Sequence, residues 1–144
     1  MSEQLDPYER VSMDEAKSIV ESAIGGRIRA LLPDRIHEAL EPERPLQWHP
    51  FPDWELHEDP AMLERTGFSE ACKAERVLVV SDACFRHPRG AIVLPGAELE
   101  SLAHEHVSRF RDTMFGGDLI MVDLEGGTLW LFHHEGYYAR TAKP

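Results

Sequence analysis

Two apolar runs on either side of a glycine pair constrain the fold of this chain more than any other feature. The runs cover residues 119–124 and 128–138, and Gly126-Gly127 lies between them. Glycine adopts positive φ at low cost, as a tight two-residue turn requires, so the pattern predicts a β-hairpin with Leu129 opposite Leu124. Neither run alternates cleanly between apolar and polar residues. We therefore expect both strands to lie inside a sheet that is covered on both faces.

A predicted helix precedes this hairpin, and two predicted strands precede the helix. Residues 77–80 and 91–94 are short apolar runs of strand length, and residues 97–114 carry apolar side chains at helical spacing. The second half of the chain is therefore predicted as strand, strand, helix, strand, strand. This order is typical of an α+β fold with a mostly antiparallel, four-stranded sheet and a helix on one face.

The N-terminal part of the chain is expected to supply helices for the other face. Residues 1–11 are polar and are expected to form a loose lead-in. Ser12 and Glu15 have the spacing of a capping box, and apolar residues then recur at helical spacing between residues 16 and 32. Gly25-Gly26 interrupts this pattern, so the helix is expected to kink there, to stop there, or to lie close against another backbone. Pro33 ends this pattern, and Asp34 could cap a shorter helix over residues 36–40. Residues 12–144 are thus predicted to form a single α+β domain.

Residues 41–60 form the least regular part of the chain, with five prolines among them. Proline lacks an amide donor and fixes φ, so neither a long helix nor a central strand is expected there. The aromatic residues Trp48, Phe51 and Trp54 are expected to pin this segment to the core. If exposed, they would instead form an interaction site. Asp59 followed by Pro60 predicts the start of a short helix that ends near residue 67.

The charge of the chain limits the classes of partner. Acidic residues number 26 and basic residues 15, which gives a net charge of −11 at pH 7. Direct binding to nucleic acid is disfavoured because phosphate contacts need a basic surface. The acidity suits a basic protein partner, or it serves only to keep the protein soluble. No apolar run could span a membrane and no signal peptide is visible, so we expect a cytoplasmic protein without membrane contact.

Eight histidines invite a metal site, but their spacing does not form one. His104 and His106 are two residues apart on a predicted helix, where their side chains point in different directions. His133 and His134 are neighbours at a predicted strand end, where adjacent side chains face opposite sides. From these pairs we expect no metal site.

Cys84 and His87 have the spacing of half a zinc site, and the other half is missing from the sequence. Cys72 and a distant histidine could complete that site only in space. Cys84 near His87 is also the one candidate for an activated nucleophile. A metal- or thiol-dependent enzyme centred on these residues is therefore an alternative function. Since no phosphate-binding loop or dinucleotide pattern is present, we assign no catalytic residues and expect no cofactor.

Two stretches resemble the SUKH superfamily of small α+β proteins. In the first, Leu32-Pro33-Asp34 follows an amphipathic helix, similar to the opening of that family. In the second, Gly117-Asp118 leads into residues 119–134, similar to the family's Gly-Asp strand and following hairpin. Many members are bacterial immunity proteins that neutralise a cognate toxin by binding it. The resemblance therefore implies a binding role and carries over no catalytic residues.

The favoured interpretation is a small acidic binding protein of immunity type that occludes the active surface of a basic toxin. Acidic residues within the proline-rich segment 41–60 would steer the partner, and its tryptophans would anchor it. The polar and aromatic residues 133–138 would add a contact patch, or would only close the edge of the core. The expected contact residues are Trp48, Asp53, Trp54, Glu55, Glu58, Asp59, His134, Glu135 and Tyr137. A structural or oligomeric subunit that uses the hairpin edge is a further alternative.

Overall fold

The computed structural model describes residues 8–25, 47–86 and 89–141. Three α-helices lie in these ranges: α1 is Met13–Ile24, α2 is Asp59–Arg65 and α3 is Leu99–Phe110. The strands are β1 Glu9–Val11, β2 His49–Pro50, β3 Val77–Val80, β4 Ala91–Leu94, β5 Leu119–Asp123, β6 Leu129–His133 and β7 Tyr137–Thr141. They form one sheet in the order β1-β4-β3-β5-β6-β7-β2, with every neighbouring pair antiparallel.

The α+β fold with an antiparallel sheet is confirmed, but the expected number of four strands is wrong. The described part of the chain contributes seven strands to the sheet. The additional strands are β1, β2 and β7, and none of them is an unbroken apolar run. β1 pairs with β4, so residues 9–11 belong to the sheet and not to a loose lead-in. The expected strand over residues 128–138 is two strands, β6 and β7, with a turn between them.

The central hairpin forms with a longer turn than the glycine pair predicts. Leu129 lies opposite Val122, two residues from the expected partner Leu124. The loop covers residues 124–128, and the Asp123 carboxylate accepts the backbone N–H groups of Glu125 and Gly126 at 3.1 and 2.9 Å. This side-chain cap stabilises the wider turn. Because side chains alternate between the two faces of a strand, a shift of two residues in the pairing register leaves Leu129 and its neighbours in the strand on the predicted faces.

Both faces of the sheet are covered, as expected from the unbroken apolar runs. On one face, α1 packs its buried residues Ala16 and Val20 against strand residues such as Ile120 and Leu131. On the other face, α2 and α3 pack against Trp130 and its neighbours. The two hairpin strands are internal, because β5 lies between β3 and β6 and β6 lies between β5 and β7. The two hairpin strands therefore have no free edge in the described sheet, and the alternative of an oligomeric subunit stays a prediction.

The helix boundaries follow capping residues. Ser12 caps α1, and its hydroxyl oxygen accepts the N–H of Glu15 at 3.1 Å, as the capping box predicts. The helix ends at Gly25, which has φ of 74°. The expected helical residues up to 32 and the short helix over residues 36–40 lie outside the described residues. The helix expected over residues 97–114 is shorter, because Arg111 adopts φ of 59° and ends α3 there.

None of the helices in the described ranges has the length and apolar character needed to cross a membrane.

Candidate functional site

Two segments that are distant in sequence meet at the β2 edge of the sheet. His49 and Pro50 of β2 pair with Tyr138 and Tyr137 of β7. The N–H of Phe51 donates to the Gly136 carbonyl at 2.8 Å. The Trp54 indole lies so close to Gly136 that a Cβ there would be 2.6 Å from the ring. Since only glycine leaves room for this contact, it fixes the proline-rich segment to the turn between β6 and β7.

The aromatic residues of this segment pack on the core, as expected. The Trp54 ring lies edge-on to Phe132 with centroids 5.2 Å apart, and Trp48 lies edge-on to His133 at 5.9 Å. Phe51 contacts Tyr138 at 6.2 Å. All three aromatic residues are only partly buried. They therefore anchor the segment while each keeps part of its surface open to solvent.

An exposed leucine projects from this anchored segment among acidic side chains. Leu56 is 80% exposed, and Asp53, Glu55 and Glu58 on either side of it are also exposed. A 3-10 turn over Trp54–Leu56 holds these residues, with the Leu56 N–H donating to the Asp53 carbonyl at 3.0 Å. Sequence reasoning missed Leu56. The available signal was a large apolar residue flanked by acids in a segment that is too irregular to bury it.

The structure brings together most of the expected contact residues in what we call the acidic–aromatic surface. Glu135 is exposed in the turn that Trp54 packs against, Tyr137 is exposed at the start of β7, and His134 is partly exposed beside them. Neither residues 47–58 nor residues 133–138 contain lysine or arginine. The surface consists of Trp48, Asp53, Trp54, Glu55, Leu56, Glu58, His134, Glu135 and Tyr137.

Asp59 is not part of this surface, although it was expected there. Its side chain is buried, with 4% exposure, and its carboxylate accepts the N–H groups of Met114 and Phe115 at 2.8 and 3.1 Å. Burial raises the pKa of Asp59 above its ordinary value. It is the first residue of α2, and Glu58 takes the capping position before it. Asp59 therefore holds the chain after α3 in place and cannot steer a partner.

His133 and His134 lie side by side, contrary to the expectation that they face opposite sides. β6 ends at His133, so His134 is already in the turn and is not bound by strand alternation. The two rings are stacked, with centroids 4.5 Å apart and planes 20° from parallel. Nδ1 of His134 lies 2.8 Å from Oδ1 of Asp118, and the His134 backbone N–H donates to the same oxygen at 3.0 Å. The N–H of Glu135 donates to Nδ1 of His133 at 2.9 Å.

Asp118 is buried, with 1% exposure, directly before β5. The carboxylate of Asp82 packs directly against the preceding residue, Gly117, and occupies the space that a side chain there would need. Asp82 and Asp118 thus bring two acidic groups to the same end of the sheet as the stacked histidines. Sequence reasoning missed this group because its members come together only through the pairing of β5 with β3 and β6.

A serine and a histidine in the interior have the geometry of a nucleophile and a base. Ser81 Oγ lies 3.1 Å from Nε2 of His106, and Nδ1 of His106 lies 2.6 Å from the Asp112 carbonyl. Both Ser81 and His106 have 0% exposure, so no substrate reaches them. Burial also lowers the pKa of His106. These bonds tie the end of β3 to α3, which is a structural role.

The cysteines do not form a reactive site in the described residues. Cys84 has 0% exposure, and its thiol donates to the Val79 carbonyl at 3.6 Å. Burial raises the pKa of both Cys84 and Cys72, which keeps them as thiols near neutral pH and makes them poor nucleophiles. His87 lies outside the described residues, so the expected Cys84–His87 pair has no described geometry.

Comparison of this chain with protein-family models, with curated proteins and with solved structures gives no match.

Proposed function

We propose that this protein is a non-catalytic binding protein of the immunity type, which occludes the active surface of a basic protein partner such as a cognate toxin. The observation that carries the proposal is Leu56, which is 80% exposed between exposed Glu55 and Glu58. An apolar residue held out among acids suits a partner with an apolar pocket and a basic rim. The remainder of the acidic–aromatic surface extends the contact around this residue.

Leu56 is well placed to contribute binding energy. Full burial of a leucine side chain on binding is worth about 1.5–3 kcal/mol. The backbone that presents Leu56 is already ordered, because Trp54 packs on Phe132 and against Gly136. Binding then requires little further ordering of this segment, and a preorganised contact loses less entropy on association.

The acidic residues around Leu56 indicate that the proposed partner has a positively charged surface. Asp53, Glu55, Glu58 and Glu135 are exposed, and the two segments that carry them contain no lysine or arginine. Acidic groups at the rim of an interface raise the association rate of a basic partner and disfavour acidic ones. The immunity type itself rests on the resemblance to the SUKH superfamily, part of which involves residues 28–40 outside the described ranges.

The test is complex formation with the product of the neighbouring gene, where that product ends in a basic domain. We expect a one-to-one complex whose dissociation constant, measured by isothermal titration calorimetry, rises with ionic strength. Leu56→Ala should weaken binding by about tenfold or more, as truncation of a central anchor does. Glu55→Lys should mainly lower the association rate at low ionic strength.

Matched controls come from α3, on a different part of the surface. Val107 is 50% exposed and Glu100 is exposed, so Val107→Ala and Glu100→Lys repeat the chemical changes elsewhere. Neither control should change the affinity. The proposal fails if no complex forms at low ionic strength, or if the controls weaken the complex as much as Leu56→Ala and Glu55→Lys do.

A further inference from the structure

Asp118, His133 and His134 place three potential metal ligands at one end of the sheet. One ligand atom from each residue lies within 4.8 Å of the others. Nitrogen from histidine and oxygen from aspartate are donors that Zn²⁺ accepts in proteins. We propose that these three residues form a binding site for one divalent transition-metal ion, with Zn²⁺ as the best-matched ion. The site shares His134 with the acidic–aromatic surface, but the metal proposal does not rest on the proposed binding function.

The buried carboxylate is the fixed part of the site. Asp118 has 1% exposure and is held directly before the central strand β5. Its Oδ1 accepts the backbone N–H of His134 at 3.0 Å, which locks the turn against the strand end. A buried carboxylate favours a positive charge close to it, since a nearby cation offsets its loss of hydration. Asp82, packed against Gly117, adds a second acidic group at this end.

His134 supplies the most direct second ligand. Its Nδ1 is 2.8 Å from Asp118 Oδ1, and two ligands of a tetrahedral zinc ion lie about 3.4 Å apart, so the two side chains need to separate by roughly half an ångström to admit the ion. A Zn²⁺ ion bonded to both atoms would lie roughly 2.0–2.2 Å from each. The ion takes the place of the proton between Nδ1 and Oδ1, and the neutral imidazole then carries its proton on Nε2. The His134 side chain is 34% exposed, so an ion can reach it from solvent.

His133 supplies the third ligand from the ring stacked on His134. Nδ1 of His133 accepts the N–H of Glu135, so this nitrogen is unprotonated, and an ion bound to it would displace that hydrogen bond. The three donor atoms lie within 4.8 Å of one another, and the side chains would have to rotate to bring them to one ion. Three protein ligands are the number found at zinc sites that keep one position open. Here the open position would face solvent.

A bound ion would tie the turn between β6 and β7 to the start of β5. Metal binding to the folded state alone stabilises that state by mass action. We therefore expect Zn²⁺ to raise the melting temperature, with saturation at one ion per chain. The ion would replace the hydrogen bonds that His134 and His133 already make in this cluster, which lowers the net gain on binding. The dissociation constant is therefore the quantity to measure.

The experiment titrates untagged, chelator-treated full-length protein with ZnCl₂ by isothermal titration calorimetry, and with CoCl₂ by visible absorption. We expect one ion per chain and the intense visible bands of a low-coordinate Co²⁺ ion. His133→Gln and His134→Gln should each lower the affinity by about tenfold or more, and Asp118→Asn should do the same. Circular dichroism checks that each variant is folded.

The matched control is His104→Gln, an exposed histidine on α3. It should leave the affinity and the Co²⁺ spectrum unchanged. Should Asp118→Asn fail to fold, the two histidine variants still decide the question because both side chains are partly exposed. The proposal is overturned if wild-type protein shows no saturable binding at submillimolar Zn²⁺, or if His104→Gln weakens binding as much as His133→Gln and His134→Gln do.

Discussion

Two buried side chains, Asp59 and His106, fix the path of the chain after α3. Arg111 turns the backbone out of the helix with φ of 59°, and the Asp112 carbonyl then reaches Nδ1 of His106 at 2.6 Å. The following N–H groups, at residues 114 and 115, donate to the Asp59 carboxylate. Asp59 of α2 and His106 of α3 thus form hydrogen bonds with backbone groups after residue 111. In a longer α3, those backbone groups would have bonded to the helix itself.

Replacement of Asp59 by alanine should lower the free energy of unfolding by about 2–4 kcal/mol. The substitution leaves two buried N–H donors without their acceptor, and each such group costs about 1–3 kcal/mol. Urea denaturation followed by circular dichroism measures the change. The neighbouring Glu58→Ala alters an exposed side chain that makes no capping hydrogen bond, and it should cost less than about 0.5 kcal/mol. Equal losses in the two variants would contradict the role assigned to Asp59.

The stability of the protein should fall in mild acid because of His106. Burial lowers the pKa of His106 below its ordinary value of 6.5, so the folded state binds fewer protons than the unfolded state below that value. The contribution of His106 is therefore fully present above pH 6.5 and is lost as the pH falls toward the folded-state pKa. The nearby charges of Asp59 and Asp112 oppose this shift, while Arg86 adds to it.

Asp59 contributes a dependence of the opposite sign. Burial raises its pKa above 3.8, so the folded state holds a proton that the unfolded state has lost, and stability decreases as the pH rises through this window.

Comparison of wild-type protein with His106→Gln separates the contribution of His106 to the pH dependence of stability from that of Asp59. Between about pH 7 and about pH 5, wild-type protein should lose more stability than His106→Gln does. His104→Gln, at an exposed site on the same helix, should behave as wild type, and parallel curves for wild type and His106→Gln would refute the prediction.

At the scale of elements, the connection from β4 to α3 passes unusually close to another backbone. A Cβ on Gly96 would lie 2.6 Å from the Ala71 carbonyl oxygen and 2.9 Å from that of Cys72. Gly96 also donates its N–H to the Ala74 carbonyl at 3.1 Å. The 3-10 turn Phe68–Lys73 therefore packs backbone to backbone against the start of α3, and this contact sets where α3 lies on the sheet.

Substitution of Gly96 by alanine should cost about 3 kcal/mol of stability, because fixed carbonyl groups must move to admit the methyl group. Gly67 provides the matched control. It has φ of 80° but no atom within 4 Å of a Cβ, so Gly67→Ala adds only backbone strain of about 1 kcal/mol. Thermal and urea denaturation compare the two. If Gly96→Ala loses less free energy of unfolding than Gly67→Ala, the contact between Gly96 and the turn Phe68–Lys73 can adjust to a side chain, and the prediction is wrong.

At the scale of the whole molecule, the sheet separates two cores. α1 packs on one face with Val20 at its centre, and α3 packs on the other with Leu102. Both side chains have 0% exposure. The strands between them belong to both cores, so we expect the two layers to unfold together although they lie on opposite faces of the sheet.

A double variant tests this architecture. Leu102→Ala should cost about 2–5 kcal/mol and Val20→Ala about 2 kcal/mol, from lost burial and the cavities that remain. The two losses should add to within about 0.5 kcal/mol, since the sites share no contact. Unfolding followed by tryptophan fluorescence and by circular dichroism should give one coincident transition for each variant. Separate transitions for the two probes would show that the layers unfold independently.

Features set by neighbouring residues could be predicted from the sequence. The cap at Ser12, the buried runs β3 and β4 and the central hairpin depend on spacing over a few positions. The strand-helix order of the second half and the two-sided burial of the sheet followed from them. The sequence also indicated both segments of the acidic–aromatic surface, because aromatic and acidic residues are concentrated there.

Contacts between residues distant in the chain were decided only by the tertiary structure. The short edge strands β1 and β2 exist because β4 and β7 offer them partners, not because their own residues favour a strand. The buried Asp59 carboxylate accepts N–H groups from residues 55 and 56 positions away, and no local sequence pattern predicts such a contact. The stack of His133 and His134 on Asp118 likewise needs the turn after β6 and the start of β5 to meet. Local preferences act over a few residues, whereas these contacts depend on which strands become neighbours in the sheet.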